Sequence, residues 1–341
     1  MCSSDLNVAM SLGEFELIER FFMRPQGQGP RHAAVGNGDD CAILPLDAGM
    51  QLAVSTDTLV EGRHFLSTVP PQRLGHKALA VNLSDLAACG AEPRAFTLAL
   101  TLPRVDEAWL QGFAQGLLAL ADAHGCELIG GDTTAGPLAL GITVLGQVPA
   151  GQALLRRGAR AGDDLWVSGW PGEARLALEA FRGTVDLDAA TWAATRLRLE
   201  QPEPRVALGL GLRGLAHAAI DLSDGLLGDL GHVLRRSGVG ASVVLDALPV
   251  SPWLAGRARD EQFNAILAGG DDYELLFTVP ADRRAEVQAL GDRLGLPVSR
   301  IGRIEPEPGL RLWQGELDRW DGDAAHQAVA NRWTSFDHFK A

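Results

Sequence analysis

Apolar positions along the chain switch repeatedly between two rhythms, and each switch marks an element. Phe15, Ile18, Phe21 and Phe22 share one side of a 3.6-residue period, which predicts a helix over Glu14 to Arg24 that stops before Pro25. The Gly/Pro/Gln-rich stretch from Pro25 to Pro30 reads as a loop. Short apolar runs at Cys41 to Leu44 and Leu52 to Ser55 predict strands joined by a turn through Pro45 to Gly49. Helical spacing returns over Leu74 to Ala88, and Ala95 to Leu102 then alternates as a half-buried strand that Pro103 ends. Asp106 is placed to cap a helix running to about His124, with Gly125 as its left-handed stop. Glu127 to Ile129 reads as a short strand feeding Gly130-Gly131-Asp132, and Leu138 to Val148 as a further strand.

Pattern breaks at Pro149-Ala150-Gly151, after a complete α/β unit, and a second domain is expected beyond it. It opens with a strand (Leu165 to Ser168), a Gly/Pro turn and a helix (Glu173 to Phe181), followed by a polar excursion to Pro204. Ala218 to Ile220 runs into Asp221, Gly225 to Arg236 reads as a helix closed by Gly238, and Ala241 to Leu245 and Tyr273 to Val279 read as strands. Ala281 to Leu294 has helical spacing. Asn82-Leu83-Ser84-Asp85 followed by Gly130-Gly131-Asp132 is echoed by Asp221-Leu222-Ser223-Asp224 followed by Gly269-Gly270-Asp271-Asp272, as two related α/β units would require.

At 341 residues, 46% apolar and 21% charged, the chain suits two globular domains. A net charge of −13 disfavours nucleic acid and anionic membrane surfaces as partners. No run reaches the roughly 20 apolar residues of a membrane span, and the opening MCSSDLNVAM lacks the marks of a signal peptide, so a cytoplasmic location is expected. Cys2, Cys41, Cys89 and Cys126 are widely spaced, which suggests neither zinc nor a disulfide framework and predicts reduced, mostly buried thiols. There is no Gly-x-x-x-x-Gly-Lys-Ser/Thr loop to cradle phosphate.

What the sequence offers instead is a series of aspartates at the ends of apolar runs. They fall in Gly38-Asp39-Asp40, Ser55-Thr56-Asp57, Ser84-Asp85, Gly130-Gly131-Asp132, Asp221-Leu222-Ser223-Asp224 and Gly269-Gly270-Asp271-Asp272. Open α/β sheets bind ligands outside the carboxyl ends of their strands. So many carboxylates repel one another unless hard cations lie among them, and oxygen-only donors suit magnesium, calcium or manganese, of which magnesium fits a phosphate-handling enzyme. Each motif alone has a plainer reading as a turn or helix cap. Asp85 lies within a helical apolar stretch and needs a basic partner, Lys77 or an arginine, or a metal. Arg156, past the boundary, is placed to reach a nucleotide phosphate, and a solvated turn explains it equally well.

These motifs, together with GDDCAIL at 38–44, STDTLVEGRHF at 55–65, KALAVNLSDLAACGAEP at 77–93, LIGGDTT at 128–134, AIDLSDGLLGDLGH at 219–232, GGDDYELLFTVP at 269–280 and FDHF at 336–339, closely resemble the thiamine-monophosphate kinase family over nearly the whole chain. The resemblance implies magnesium-dependent transfer of the γ-phosphoryl group of ATP to thiamine monophosphate, giving thiamine diphosphate. It implies an α/β (α+β) fold of the two-domain aminoimidazole ribonucleotide synthetase kind, shared with selenophosphate synthetase. Residues 1–149 would be an N-terminal ATP/Mg-binding domain giving strands to a barrel across a homodimer, and 150–341 a C-terminal α/β domain. Carried over by motif, Asp40, Ser55, Thr56, Asp57, Asp85, Asp132, Asp221 and Asp224 are magnesium ligands; Gly131, Asp132, Arg156 and Ser223 contact ATP; His64, Asp271 and Phe336 contact the acceptor. Asp271 stands where the family usually has glutamate, Phe336 where it often has tyrosine, and Ala135 where arginine is frequent. The alternative within the same superfamily is another ATP-dependent synthetase, of the aminoimidazole ribonucleotide synthetase or hydrogenase-maturation kind.

Overall fold

The computed structural model describes residues 13–25, 27–29, 31–37, 40–317 and 327–335. Gly38, Asp39 and the tail from Phe336 onward therefore lie outside the described residues. The described residues form two compact units, one drawn from Met1–Pro45, Thr56–Leu79 and Ala95–Thr143, the other from Leu46–Ser55, Ala80–Arg94 and Val144–Ala341.

Helices α1 (Glu14–Phe21), α2 (Pro71–Ala88) and α3 (Glu107–Ala123) accompany a sheet of β1 (Met50–Val60), β2 (Glu92–Leu102), β3 (Glu127–Ala135) and β4 (Ala139–Pro149) in the order β1-β4-β2-β3. Asp106 caps α3 as its sequence predicts, accepting the Trp109 N–H at 3.1 Å. Gly75 and Gly116 let α2 and α3 touch backbone to backbone: a Cβ at Gly116 would sit 1.8 Å from the Gln72 carbonyl oxygen. Four expectations fail in this region. The first helix ends at Phe21, short of Arg24. Cys41–Leu44 makes only a single bridge, Val35 to Ile43, because nothing extends the pairing. The strand at 52–55 runs on to Val60, and the strand at 127–129 runs on to Ala135, parallel to β2 with Ala99 opposite Asp132.

The second unit carries α4 (Glu173–Phe181), α5 (Ala189–Glu200), α6 (Val206–Leu212), α7 (Leu226–Ser237), α8 (Arg259–Ala268) and α9 (Arg284–Leu294). Its strands are β5 (Asp164–Ser168), β6 (Ala218–Asp221), β7 (Gly240–Val244), β8 (Leu275–Val279), β9 (Val298–Glu305), β10 (Gly309–Gln314) and β11 (Gln327–Val329). They form one mixed sheet, β11-β10-β7-β9-β5-β8-β6. Every residue of β5, β7 and β8 is buried, including the polar Asp164, Ser168, Ser242 and Thr278 beside the apolar Leu165 to Val167, Val243-Val244 and Leu275 to Phe277. Leu226, Leu230, Val233 and Leu234 of α7 join Ile220, Val243, Ile266 and Ile301 in the core. The polar excursion before Pro204 contains α5, whose N-cap Asp188 accepts the N–H groups of Ala190 and Thr191. β6 lies at one edge of the sheet, antiparallel to β8 with Asp221 opposite Leu275. That pairing brings the segment before β8 alongside the residues that follow Asp221.

Candidate active site

Asp221 ends β6 buried, at 4% exposure, and accepts the Ser84 hydroxyl at 2.9 Å. One turn of α2 carries both Ser84 and Asp85, and the Ser55 hydroxyl of β1 donates to Asp85 Oδ2. Burial and the neighbouring Asp85 push Asp221 up to about 8, and burial likewise raises Asp85, against the pull of Ser55 and Arg156. Arg156 is thus the cation beside Asp85, and its field also reaches Asp221 and Asp229.

The loop leaving β6 is held by a residue that the sequence reading missed. Asp229, on the first turns of α7 and 3% exposed, accepts the backbone N–H groups of Ser223 at 3.1 Å and Asp224 at 3.2 Å. Burial and Asp224 push it up to about 7. Its signal in the sequence was an acid set among Leu226, Leu227 and Leu230 on the apolar face of the helix. A second strand of backbone stitches the acceptor motif to this loop: Asp271 N–H donates to Ser223 O at 3.0 Å, Tyr273 N–H to Leu222 O at 2.8 Å, and Leu222 N–H to Glu274 O at 2.9 Å.

The remaining candidates belong to the other unit. Asp40 and Asp132 are exposed, and Asp57 is half-buried. Ser55-Thr56-Asp57 is not a strand end but mid-strand, and alternation turns Thr56 to the opposite face, where its hydroxyl meets that of Thr143 at 2.8 Å. Gly130-Gly131-Asp132 is likewise strand, not turn. Gly131 is required by packing, since a Cβ there would lie 2.0 Å from the Leu98 carbonyl oxygen of β2. His64 Nδ1 accepts the Val60 N–H at 2.9 Å, which puts the proton of a neutral ring on Nε2. Phe336 lies outside the described residues.

Among the described residues no three His, Cys, Asp or Glu side chains form a ready-made metal cage. Magnesium does not need one, because it keeps several waters and is usually bound by one or two carboxylates plus substrate phosphates. The set at the end of β6 fits that requirement. Asp85, Asp221, Asp224 and Asp229 outnumber Arg156, and the donors around them are oxygens. Of the thiols, Cys126 is buried, Cys89 half-buried and Cys41 exposed, so the expectation of mostly buried thiols fails for Cys41.

Comparison with known proteins gives a consistent picture. Residues 38–148 match the family described as AIR synthase related protein, N-terminal domain, and residues 160–314 the corresponding C-terminal domain. The chain is 44% identical over 333 residues to the thiamine-monophosphate kinase of Salmonella typhimurium, covering 97% of this chain and 99% of that one. The crystal structure of thiamine-monophosphate kinase from Stenotrophomonas maltophilia K279a is 49% identical, with a TM-score of 0.82 over 89% of this chain and 97% of that chain. A structure described as AaThiL complexed with AMPPCP and TMP is 29% identical, with a TM-score of 0.70 over 84% of this chain and 89% of that chain.

Proposed function

Because the chain belongs to the thiamine-monophosphate kinase family, we propose that its recurrent aspartates serve one task, bringing the phosphates of ATP and thiamine monophosphate together. The protein is a kinase that uses ATP to phosphorylate thiamine monophosphate to thiamine diphosphate. The observation that carries this is 44% sequence identity over 333 residues, spanning 97% of this chain and 99% of a known thiamine-monophosphate kinase.

Asp40, Ser55, Thr56, Asp57, Asp85, Asp132, Asp221 and Asp224 supply the oxygen ligands for magnesium ions. Magnesium, when bound, neutralises phosphate charge and aligns the reacting groups. Gly131, Asp132, Arg156 and Ser223 contact ATP, while His64, Asp271 and Phe336 contact the acceptor. Arg156 offers a guanidinium suited to a phosphate and restrains the repulsion between Asp85 and Asp221. Asp229 holds the Ser223 and Asp224 backbone in place through two N–H groups. His64 presents an Nε2–H of the kind that donates to a phosphate oxygen. The acceptor phosphate is already ionised near neutral pH, so no strong general base and no phosphorylated side chain are required.

We divide the chain into an N-terminal ATP/Mg-binding and dimerisation domain, 1–149, and a C-terminal α/β domain, 150–341. Support comes from β4 ending at Pro149. A homodimer is supported by β1, an edge strand whose Leu52 and Val54 stand 46% and 56% exposed. A cytoplasmic location is supported by ATP as co-substrate; no helix among the described residues is long and apolar enough to cross a membrane. The deciding assay follows thiamine diphosphate and ADP by chromatography with ATP, magnesium and thiamine monophosphate. Equal amounts of both are expected. Release of ADP without thiamine diphosphate, or only with an amide-type acceptor, overturns the reading in favour of a synthetase.

A further inference from the structure

The strand that carries Gly131-Asp132 opens with a buried acid that belongs to none of the recurrent motifs. β3 lies at one edge of its sheet, and residues 31–37, in the same unit, run beside its first residues. Glu127, where β3 begins, is 5% exposed. Its Oε2 accepts two consecutive backbone N–H groups, those of His32 and, at 2.9 Å, of Ala33. Its Oε1 takes the Arg31 guanidinium at 3.3 Å. On either side, His32 Nε2 donates to the Gly125 carbonyl at 2.8 Å and Asn37 Nδ2 to the Leu128 carbonyl at 3.2 Å.

The segment held in this way leads to Asp40. Ala34 N–H donates to the Ile43 carbonyl at 2.8 Å and Ile43 N–H to the Val35 carbonyl at 2.8 Å, so the chain returns beside itself across a single bridge, with Asp40 between the two partners in sequence. A segment with so little secondary structure of its own takes its place from side-chain ties, and Glu127 supplies three of them. Burying a carboxylate costs free energy that is recovered only through such bonds. An ionised acid suits the task, because it only accepts, has room on two oxygens for both N–H groups and the guanidinium, and bonds them more strongly than a neutral group does. Asp132 stands further along the same strand.

We propose that Glu127 is a positioning residue for the phosphoryl transfer: it locks the segment bearing Asp40 to the strand bearing Asp132 and so sets the spacing at which these two carboxylates meet a metal-bound nucleotide. The inference rests on the assignment of Asp40 and Asp132 as magnesium ligands above, and adds the group that holds them in one frame. Glu127 touches neither metal nor substrate and acts through the backbone of His32 and Ala33. A merely structural clamp would lower stability when cut. A positioning clamp also weakens metal binding, because carboxylates that wander relative to one another no longer present a preformed pair of oxygens.

Manganese in place of magnesium, titrated by electron paramagnetic resonance with a non-hydrolysable ATP analogue present, tests this without turnover. Glu127→Ala should weaken manganese binding by about tenfold or more. In the assay of thiamine diphosphate formation it should raise the half-saturating magnesium concentration by a similar factor, while the KM for thiamine monophosphate stays within about twofold. Asp106→Ala, which removes the cap of α3 in the same unit, controls for lost stability and should leave both metal readings within about twofold. Should Glu127→Ala not fold, Glu127→Gln decides: it keeps one acceptor oxygen and loses the charge, and should weaken manganese binding by about threefold or more. Wild-type manganese affinity in a folded Glu127→Ala, or in Glu127→Gln where the alanine variant does not fold, overturns the proposal, as does an equal loss in Asp106→Ala. A wild-type protein that binds manganese yet forms no thiamine diphosphate overturns the kinase reading alone, because the binding comparison between variants still stands.

Discussion

Asp221 shows at the scale of one residue how a site built for cations weakens the protein that carries it. Pushed up to about 8 by burial and Asp85, it retains in the folded protein a proton that the unfolded chain loses from about pH 4 upward. Its contribution to stability is therefore full below about pH 4 and drains away as the pH rises towards 8. Asp229, pushed up to about 7, adds to the loss in the same direction. In chelator-treated protein, denaturant midpoints measured from pH 5 to 8 should fall, each such group contributing at most about 1.4 kcal/mol per pH unit. Asp221→Asn should flatten that slope while lowering kcat/KM by about a thousandfold or more. Parallel slopes in the two proteins would show that Asp221 is ionised throughout. The thiols give a simpler contrast, because burial raises Cys126 while Cys41 is exposed. Peptide mapping after brief alkylation at pH 8 should find Cys41 modified and Cys126 untouched until denaturant is added; early labelling of Cys126 would contradict its burial.

At the scale of an element, Gly131 ties the phosphate-site reading to plain sheet packing. Its absent side chain lets β3 lie against β2 at the Leu98 carbonyl, so Gly131→Ala should destabilise the protein by about 1–3 kcal/mol, whatever it does to ATP binding. A calorimetric transition unchanged from wild type would sink that account. The same strand explains what the sequence concealed. Two glycines before an acid read locally as a turn, and only the parallel partner β2 makes them strand. Elements with strong local signals were legible: α3 with its Asp106 cap and Gly125 (φ 59°), α4 from Glu173 to Phe181, and α7 with Gly238 (φ 69°). Those decided by the sheet were not, notably β9, whose apolar Val298, Ile301 and Ile304 fall three apart among Arg300 and Arg303 instead of alternating, and the short β10 and β11. Helix α8 was missed because acids and polar residues fill its first turn. For the site, the position of Asp221 at the end of an apolar strand was legible, whereas Asp57 and Asp132, read as following strands, lie within them. Of the supports, Ser84 was hidden because it acts on Asp221 across 137 positions, and Asp229 because it works through backbone N–H groups five and six residues before it rather than through a side chain.

For the whole molecule the question is what covers β1. Its outer face sets Leu52, Val54 and Val60 towards solvent on an unpaired edge, an arrangement that proteins otherwise blunt with charge. A second copy docked there would bury these side chains, yet two chains of net charge −13 repel one another over tens of ångströms when salt is scarce. Both effects can be read in one titration. Sedimentation should give a two-chain particle that tightens as ionic strength rises from about 10 to 150 mM, over which the screening length shrinks from about 30 to 8 Å. Leu52→Lys combined with Val54→Glu should yield a single-chain particle at every salt concentration, by placing charge on the apolar face. A wild-type protein that sediments as one chain at 150 mM, or a double variant that still pairs, would move the dimer contact away from β1.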